Sequence, residues 1–403
     1  MPASERVDAP SGAPPSLGVG GRVATVVVTD LEGRGALAAC RTLARAGYRV
    51  VGTATSRLAP GGWSRACSRR VLLPNPREDV RAYVDALAAA LAVEGADLLV
   101  PGSDAALLAI SAGRDALPSG VRTGLADPDV VLRSTDKVAV GDAAGRVGID
   151  VPGTVDCADV AAAREAAARL GYPVVLKPPR SVAVDGRMLR ERTSRRVECD
   201  LELASAFAEL GPPLLVQEAV PGAVHSIAGV VVDGTLRGAV AARYRRTWPA
   251  EAGAAAYAET IVADAELLRR VEALVVSLGW NGIFEVELVP RSDGSYAVID
   301  FNPRIYGSLA LSAAAGAPLV TIWCDALLGR EDGFKVAAPG IGYRCEDFDA
   351  RHLLSDLGRR RPRAALEVLR PHRHVVHAYA DLRDPAPVVV RWTAGIARRL
   401  RTR

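Results

Sequence analysis

Two short segments near residue 290 constrain this chain most. Gly282-Ile-Phe-Glu285-Val-Glu287-Leu and Ile299-Asp300-Phe-Asn302-Pro303-Arg304 both read as β-strands, and the turn residues Ser292-Asp293-Gly294-Ser295 between them predict a hairpin. The two-residue period of a strand places Glu287 and Asp300 on one face, with Asn302 further along it. Glu285 shares that face, so either glutamate is a candidate ligand. Carboxylates on strands otherwise so apolar are unfavourable to bury unless something positive lies among them. A divalent cation is the simplest partner. Oxygen donors of this kind suit Mg²⁺, which commonly joins one or two carboxylates to nucleotide phosphates, with Mn²⁺ as the alternative. The pattern predicts a Mg-nucleotide enzyme.

The chain has room for two or three domains, at 403 residues and 49% hydrophobic content. No apolar run reaches the ~20 residues of a membrane span. The N-terminus lacks the basic-then-apolar order of a signal peptide, so a cytoplasmic protein is expected. Residues 1–21 are rich in Pro, Gly, Ser and Ala and read as a disordered tail. A net charge of +4 is too small to predict a nucleic-acid partner. Six scattered cysteines without a CxxC pair predict free thiols. His372, His374 and His377 lie in a basic region without acidic neighbours and read as surface residues rather than metal ligands. Val388 to Arg403 is basic and amphipathic, suited to capping the enzyme, a dimer contact or a membrane surface.

Arg22 to Thr29 is a β-branched run typical of a strand covered on both faces. A loop with Gly33-Arg34-Gly35, a helical stretch from Ala36, Gly47 as terminator and the strand Tyr48 to Gly52 follow, which predicts a right-handed parallel unit. Asp79 caps a further helix, and Asp97 to Pro101 is another strand. Residues 22–130 thus predict a doubly wound α/β domain whose loops, Thr29-Asp30, Ser56-Arg57 and Ser103-Asp104, line the sheet's carboxyl edge. Further on, Asp136 opens a helix at Lys137. Strands end at Lys177 and at Gln217-Glu218-Ala219-Val220, and a hairpin turns at Asp233-Gly234.

Tyr172-Pro-Val-Val-Leu-Lys177-Pro, Leu215-Val-Gln217-Glu218-Ala-Val-Pro-Gly222, Val286-Glu287-Leu and Ile299-Asp300-Phe-Asn302-Pro-Arg304 together resemble the ATP-grasp superfamily in order and spacing, over roughly residues 22–330. Gly307-Ser308 after the Asn-x-Arg motif is similar to carboxylate-amine ligases within it. The resemblance implies an α/β and α+β protein: an N-terminal pre-ATP-grasp domain at 22–130, and a two-subdomain ATP-grasp domain at 131–330 with a lid near 172–222. Residues 331–403 are left as a basic extension. It further implies that Lys137 and Lys177 meet the phosphates of ATP, and that the segment Gln217, Glu218, Ala219 and Val220 holds adenine. Glu287, Asp300 and Asn302 would hold Mg²⁺, and Arg304 would stabilise the transferred phosphoryl group. Arg246, from the basic stretch Arg243 to Arg246, is the candidate for the acceptor carboxylate. The expected activity joins a small-molecule carboxylate to an amine; the alternatives are a nucleotide sensor without activity and a carboxylase or carbamoyl-type enzyme. Dimers are common among similar enzymes.

This chain departs from the pattern twice. Asp300 stands where the family more often has Glu, which moves the ion by about one methylene. The segment Pro179 to Met188 holds one glycine where a glycine-rich phosphate loop is usual, so Arg180 or Arg187 is expected to supply charge in place of amide donors.

Overall fold

The computed structural model describes residues 18–19, 22–249, 253–330, 333–358, 368 and 373–401. Most of the tail expected at 1–21 lies outside them, as do His372 and the arginines at 359–363; Gly18–Val19 pairs with Arg22–Val23.

Thr25–Val28 is buried throughout, as a strand with helices on both faces must be. It is central in a four-stranded parallel sheet ordered Arg69–Leu72, Arg49–Ala54, Thr25–Val28, Leu98–Val100. Val26 and Val28 pack with helix Arg34–Arg45; Val27 and Leu99 pack with helices Val80–Glu94 and Asp104–Ala112. The expected caps form: Asp79 accepts from Ala82 N, Asp136 from Val138 N and Asp264 from Leu267 N.

A second, antiparallel sheet is ordered Arg195–Val197, Val174–Lys177, Leu214–Glu218, Thr154–Cys157. Helices Val160–Leu170 and Asp200–Leu210 cover one face through Ala163, Ala167, Leu203 and Phe207. This subdomain therefore begins before residue 172. Thr154–Cys157 is a half-exposed edge strand, too short and polar to stand out in the sequence. The Pro179 to Met188 segment is a hairpin, Val182–Asp185 against Met188–Glu191. Its arginines are engaged locally: Arg187 pairs with Asp79 at 2.8 Å and Arg180 with Asp136 at 2.9 Å.

The largest sheet has eight strands; its main path runs Tyr296–Asn302, Gly282–Pro290, His225–Val232, Thr235–Trp248, Ala254–Thr260, Gly342–Arg344, Val375–His377. Asp233 and Gly234 turn the central hairpin with φ of 51° and 71°, the pair of positive values a type I′ turn needs. The last two strands of that path come from the region expected as a basic extension, so residues beyond 331 complete this sheet. Helix Ala386–Arg401 packs on the Pro60–Trp63 turn of the N-terminal domain, which is the capping role.

Beside that helix, Arg41 Nε meets Asp384 Oδ2 at 2.9 Å, and Arg41 Nη2 donates to the Tyr379 carbonyl. Ser64 Oγ and Arg65 N also donate to the Asp384 carboxylate. Burial opposes ionisation of Asp384, but these donors outweigh it and hold its pKa below the usual value. Asp384→Ala leaves Arg41 buried without a counter-charge and is expected to cost about 3 kcal/mol, read as a lower urea midpoint. Because the folded pKa is depressed, the contribution is present above about pH 4 and lost as pH falls through the folded value. Asp384→Asn should therefore flatten the acid limb of the stability profile; an acid limb identical to the parent's would refute the assignment.

Candidate active site

The acidic hairpin has the expected register. Glu285 lies opposite Asn302 and Glu287 opposite Asp300, with a bulge between Glu287 and Leu288. Two strands away, the Tyr244 hydroxyl lies 2.9 Å from Glu285 Oε1 and 3.1 Å from Glu287 Oε1. Asn302 Nδ2 donates to Glu285 Oε2 at 3.3 Å, and Ser308 Oγ to Glu285 Oε1 at 3.4 Å. Glu285 is thus tied by hydrogen bonds from three side chains, whereas Glu287 has Tyr244 and faces Asp300.

The second sheet brings the cations. In Val174–Lys177 the residues Val174 and Leu176 pack against the helices, so alternation turns Val175 and Lys177 to the opposite face. Lys177 Nζ donates to the Ile299 carbonyl at 2.7 Å. Lys137 Nζ reaches Asp300 Oδ1 at 3.4 Å and Ser181 Oγ at 3.0 Å. The two lysines and Asp300 therefore converge, although more than a hundred residues separate Asp300 from either lysine.

Lys177, Ser181 and Asp300, with Glu285, Glu287 and Asn302, line a cleft of roughly 1230 Å³ between the two antiparallel sheets and the N-terminal domain. Gln217, Glu218, Ala219 and Val220 form one wall. A neighbouring cavity of roughly 610 Å³ contains Lys137 and shares Gln217, Ile299 and Asp300 with the first. Gln217 donates to Thr154 Oγ1 at 3.0 Å, and Glu218 accepts from Gly153 N at 3.1 Å and faces Arg291 at 3.4 Å. Both side chains expected beside adenine thus have protein partners, and the backbone of Gln217 and Glu218 is paired as well, with Glu218 N donating to the Gly153 carbonyl at 2.8 Å; Ala219 and Val220 continue the cleft wall beyond the strand.

Arg304 Nε meets Asp104 Oδ1 at 2.8 Å and Arg304 Nη2 donates to Asn302 Oδ1 at 3.1 Å. Asp104 comes from the first turn of a helix in the N-terminal domain. Arg246 lines the cleft, but its Nε and Nη2 are both given to Asp349, at 2.7 and 2.8 Å. The sequence named Ser103-Asp104 as an edge loop and Gly307-Ser308 as part of a motif, but gave Asp104, Ser308 and Tyr244 no contact with the acidic hairpin or Arg304. The contact of Tyr244 with the glutamates depends on strand order.

The electrostatics follow from crowding. Burial, then Glu285 and Asp300, push Glu287 up to about 8. Burial also raises Glu285, against the Tyr244 hydrogen bond and Arg304. Asp300 is held below its usual value despite burial, because Lys137 and Lys177 stand beside it. Burial pushes Lys177 down to about 8 against the pull of Asp300. Among the described residues, no group of three or more His, Cys, Asp or Glu side chains is placed to hold a metal ion by itself. The face nevertheless gathers three carboxyl groups, Glu285, Glu287 and Asp300, close enough to raise Glu287. Carboxylates and an amide that leave most coordination positions open fit Mg²⁺, which keeps waters and takes phosphate oxygens.

A family model for ATP-grasp proteins in the biosynthetic pathway with the Ter operon matches residues 211–347, the stretch that contains Gln217, Tyr244, both glutamates, Asp300, Asn302 and Arg304. The chain has the ATP-grasp fold, and its residues 211–347 match an ATP-grasp family. This ATP-grasp protein is 28% identical over 235 residues to the carbamoyl phosphate synthase large chain of Rubrobacter xylanophilus, covering 55% of this chain and 22% of that one. It thus spans about a fifth of the length of that curated relative. Among solved structures it is similar to an L-amino acid ligase from Bacillus licheniformis, with a TM-score of 0.56, 17% identity and coverage of 75% and 74% of the two chains. It is also similar to the biotin carboxylase domain dimer of Hydrogenobacter thermophilus 2-oxoglutarate carboxylase, in complex with MgADP, ADP and bicarbonate. There the TM-score is 0.59, identity is 17% and coverage is 79% and 73%. At these identities the two structures establish the ATP-grasp fold. Among the described residues, no helix of this ATP-grasp protein is long and apolar enough to cross a membrane.

Proposed function

We propose that this ATP-grasp protein is an ATP-dependent ligase that activates a carboxylate as an acyl phosphate and joins it to an amine, releasing ADP and phosphate. The observation that carries this reading is the convergence of Lys137 and Lys177 on Asp300, with Glu287, Asn302 and Arg304 along the same cleft. A full set of phosphate-facing cations beside metal-type oxygen donors suits phosphoryl transfer and exceeds what a nucleotide sensor needs. In this reading ATP lies between the two antiparallel sheets, with the segment Gln217 to Val220 at adenine. Lys177 and Lys137 hold the phosphates, and Glu287, Asp300 and Asn302 hold Mg²⁺. Mg²⁺ held by these residues would supply neutralisation of phosphate charge. Arg304, fixed by Asp104, faces the phosphoryl group and the acyl oxygen as charge develops. Carboxylates resist amines because oxide is a poor leaving group; phosphorylation supplies a better one, and closure of the smaller sheet over the cleft would exclude water. Arg246 is withdrawn from the acceptor role, since Asp349 occupies it.

The test is ADP and phosphate release from the full chain with Mg-ATP, against pooled amino acids and small carboxylic acids, with mass spectrometry of each positive pool. A product of mass acid plus amine minus water supports the ligase. A bicarbonate-containing pool separates the second reading, a carboxylase or carbamoyl-type enzyme, which the carbamoyl phosphate synthase and biotin carboxylase relatives favour. ADP release that requires bicarbonate would replace the ligase with that reading. Lys177→Ala should raise the Kd for Mg-ADP about tenfold to a hundredfold, since a buried charge-assisted contact is lost; an unchanged Kd would remove Lys177 from the phosphate site.

A further inference from the structure

Six arginines among the described residues line the cleft, and five have partners. Arg304 faces Asp104, Arg245 faces Glu259, Arg246 faces Asp349 and Arg196 faces Glu198. Arg192 donates to the carbonyls of Leu210 and Pro213. Arg34 is the sixth. Among the described residues no group accepts a hydrogen bond from it, and its Nε is buried without a partner. An Nε–H shielded from water without an acceptor is costly, and an anion at this partly buried guanidinium relieves the cost.

The position of Arg34 is built rather than accidental. Its guanidinium lies over the Phe348 ring, 4.6 Å from the centroid. It also lies against Gly307, where an added Cβ would be 2.5 Å from Arg34 Nη2. At Gly35 an added Cβ would be 2.5 Å from the Tyr306 carbonyl oxygen, so the two loops touch along their backbones. Arg34 is the first residue of the helix Arg34–Arg45, whose N-cap, Gly33, offers no side chain to the open N–H groups. Gly33, Arg34 and Gly35 all face the cleft, so the helix's positive end points there as well. The loop from Arg304 to Gly307 joins this corner to the proposed phosphoryl site.

We propose that Arg34 and the first turn of its helix bind a substrate carboxylate other than the one that is phosphorylated. The substrate class is then a dicarboxylic acid, or an amino acid whose own carboxylate stays free while its amine reacts. Calling the ligand a substrate rests on the ligase reading above; the anion site itself rests on Arg34. A planar fork matches a carboxylate bidentately, and the ring beneath it and the glycine beside it hold the fork in one orientation.

Calorimetry on the full chain at saturating Mg-ADP tests this, with succinate and L-alanine as separate probes for the two carboxylate sources. The parent is expected to bind at least one of them. Arg34→Gln should weaken that binding about thirtyfold or more, since a charge-assisted pair is lost. Arg34→Lys should lose less, keeping charge without the fork. Gly307→Ala should weaken binding without changing any charge, because its methyl group displaces the guanidinium. Mg-ADP affinity should stay at the parent value in all three, which also reports an intact fold. Equal probe binding by parent and Arg34→Gln overturns the proposal, and so does a parent that binds Mg-ADP but neither probe. A parent that fails to bind Mg-ADP overturns the ligase reading itself and this assignment with it.

Discussion

Asp300→Asn is expected to lower Mg-ATP-dependent ADP release by about a thousandfold or more while leaving the fold intact. Its carboxylate is the point where three separate segments meet: Lys137 at 3.4 Å, Lys177 through its charge, and Glu287 directly across the ladder. Asparagine keeps the size and still offers an oxygen to the Phe301 N–H that Asp300 accepts from at 3.1 Å. What it removes is the charge. Two lysines then face each other with less compensation, and the proposed metal loses an anionic ligand. A thousandfold corresponds to about 4 kcal/mol of transition-state stabilisation, within the range for a group that acts on developing phosphoryl charge. Two measurements check it. Turnover should fall with the urea midpoint near the parent's, and Mg²⁺ should no longer strengthen ADP binding. Turnover within tenfold of the parent, or an unchanged Mg²⁺ effect on ADP affinity, would sink the assignment.

Asp349→Ala is expected to be the most destabilising single change in the large sheet, at about 3–5 kcal/mol. Asp349 is buried and takes a bidentate pair from Arg246, and Arg344 Nε lies 3.1 Å from Oδ2, the oxygen that also accepts from Arg246 Nη2. Both guanidinium groups also lie over the Tyr257 ring, at 4.7 and 5.7 Å from its centroid. Without the carboxylate, two positive groups share one ring and one poorly solvated pocket. Arg246→Ala should be milder, because Arg344 still compensates Asp349, and the double variant should be more stable than the sum of the two losses predicts. Urea unfolding of the four proteins checks this. Strict additivity, or an Arg246→Ala variant with parent stability and abolished turnover, would restore Arg246 to the acceptor role and refute the structural one.

The contrast between Arg246 and Glu287 shows what was legible. Glu285, Glu287, Asp300 and Asn302 lie within one hairpin, so strand alternation and a short turn already order them along one face. Lys177 and the caps at Asp79, Asp136 and Asp264 are local in the same sense: each depends on neighbours within a few residues. The arginine stretch Arg243 to Arg246 offered its charges to any partner. A bulge in its pairing with Ala254–Thr260 and the arrival of helix Glu346–Gly358 gave Arg246 to Asp349. The edge strand Thr154–Cys157 and the strands after residue 335 were missed for a related reason. They are short, half-exposed or isolated, and they become strands through the neighbour they pair with rather than through their own pattern.

The sequence by itself determined the α/β opening, the paired strands with their acidic face, the turn at Asp233-Gly234 and the lysine that ends Val174–Lys177. Each is a matter of local periodicity, capping or turn chemistry. Only the tertiary structure decided which charges remain open in the cleft. It placed Asp104 on Arg304, Asp349 on Arg246, Asp384 on Arg41 and Tyr244 on the two glutamates, and it left Arg34 without an acceptor among the described residues. The reason is that a charge selects its partner by distance and desolvation in the folded state, and those are properties of segments joined by the packing of three sheets, not of neighbours along the chain.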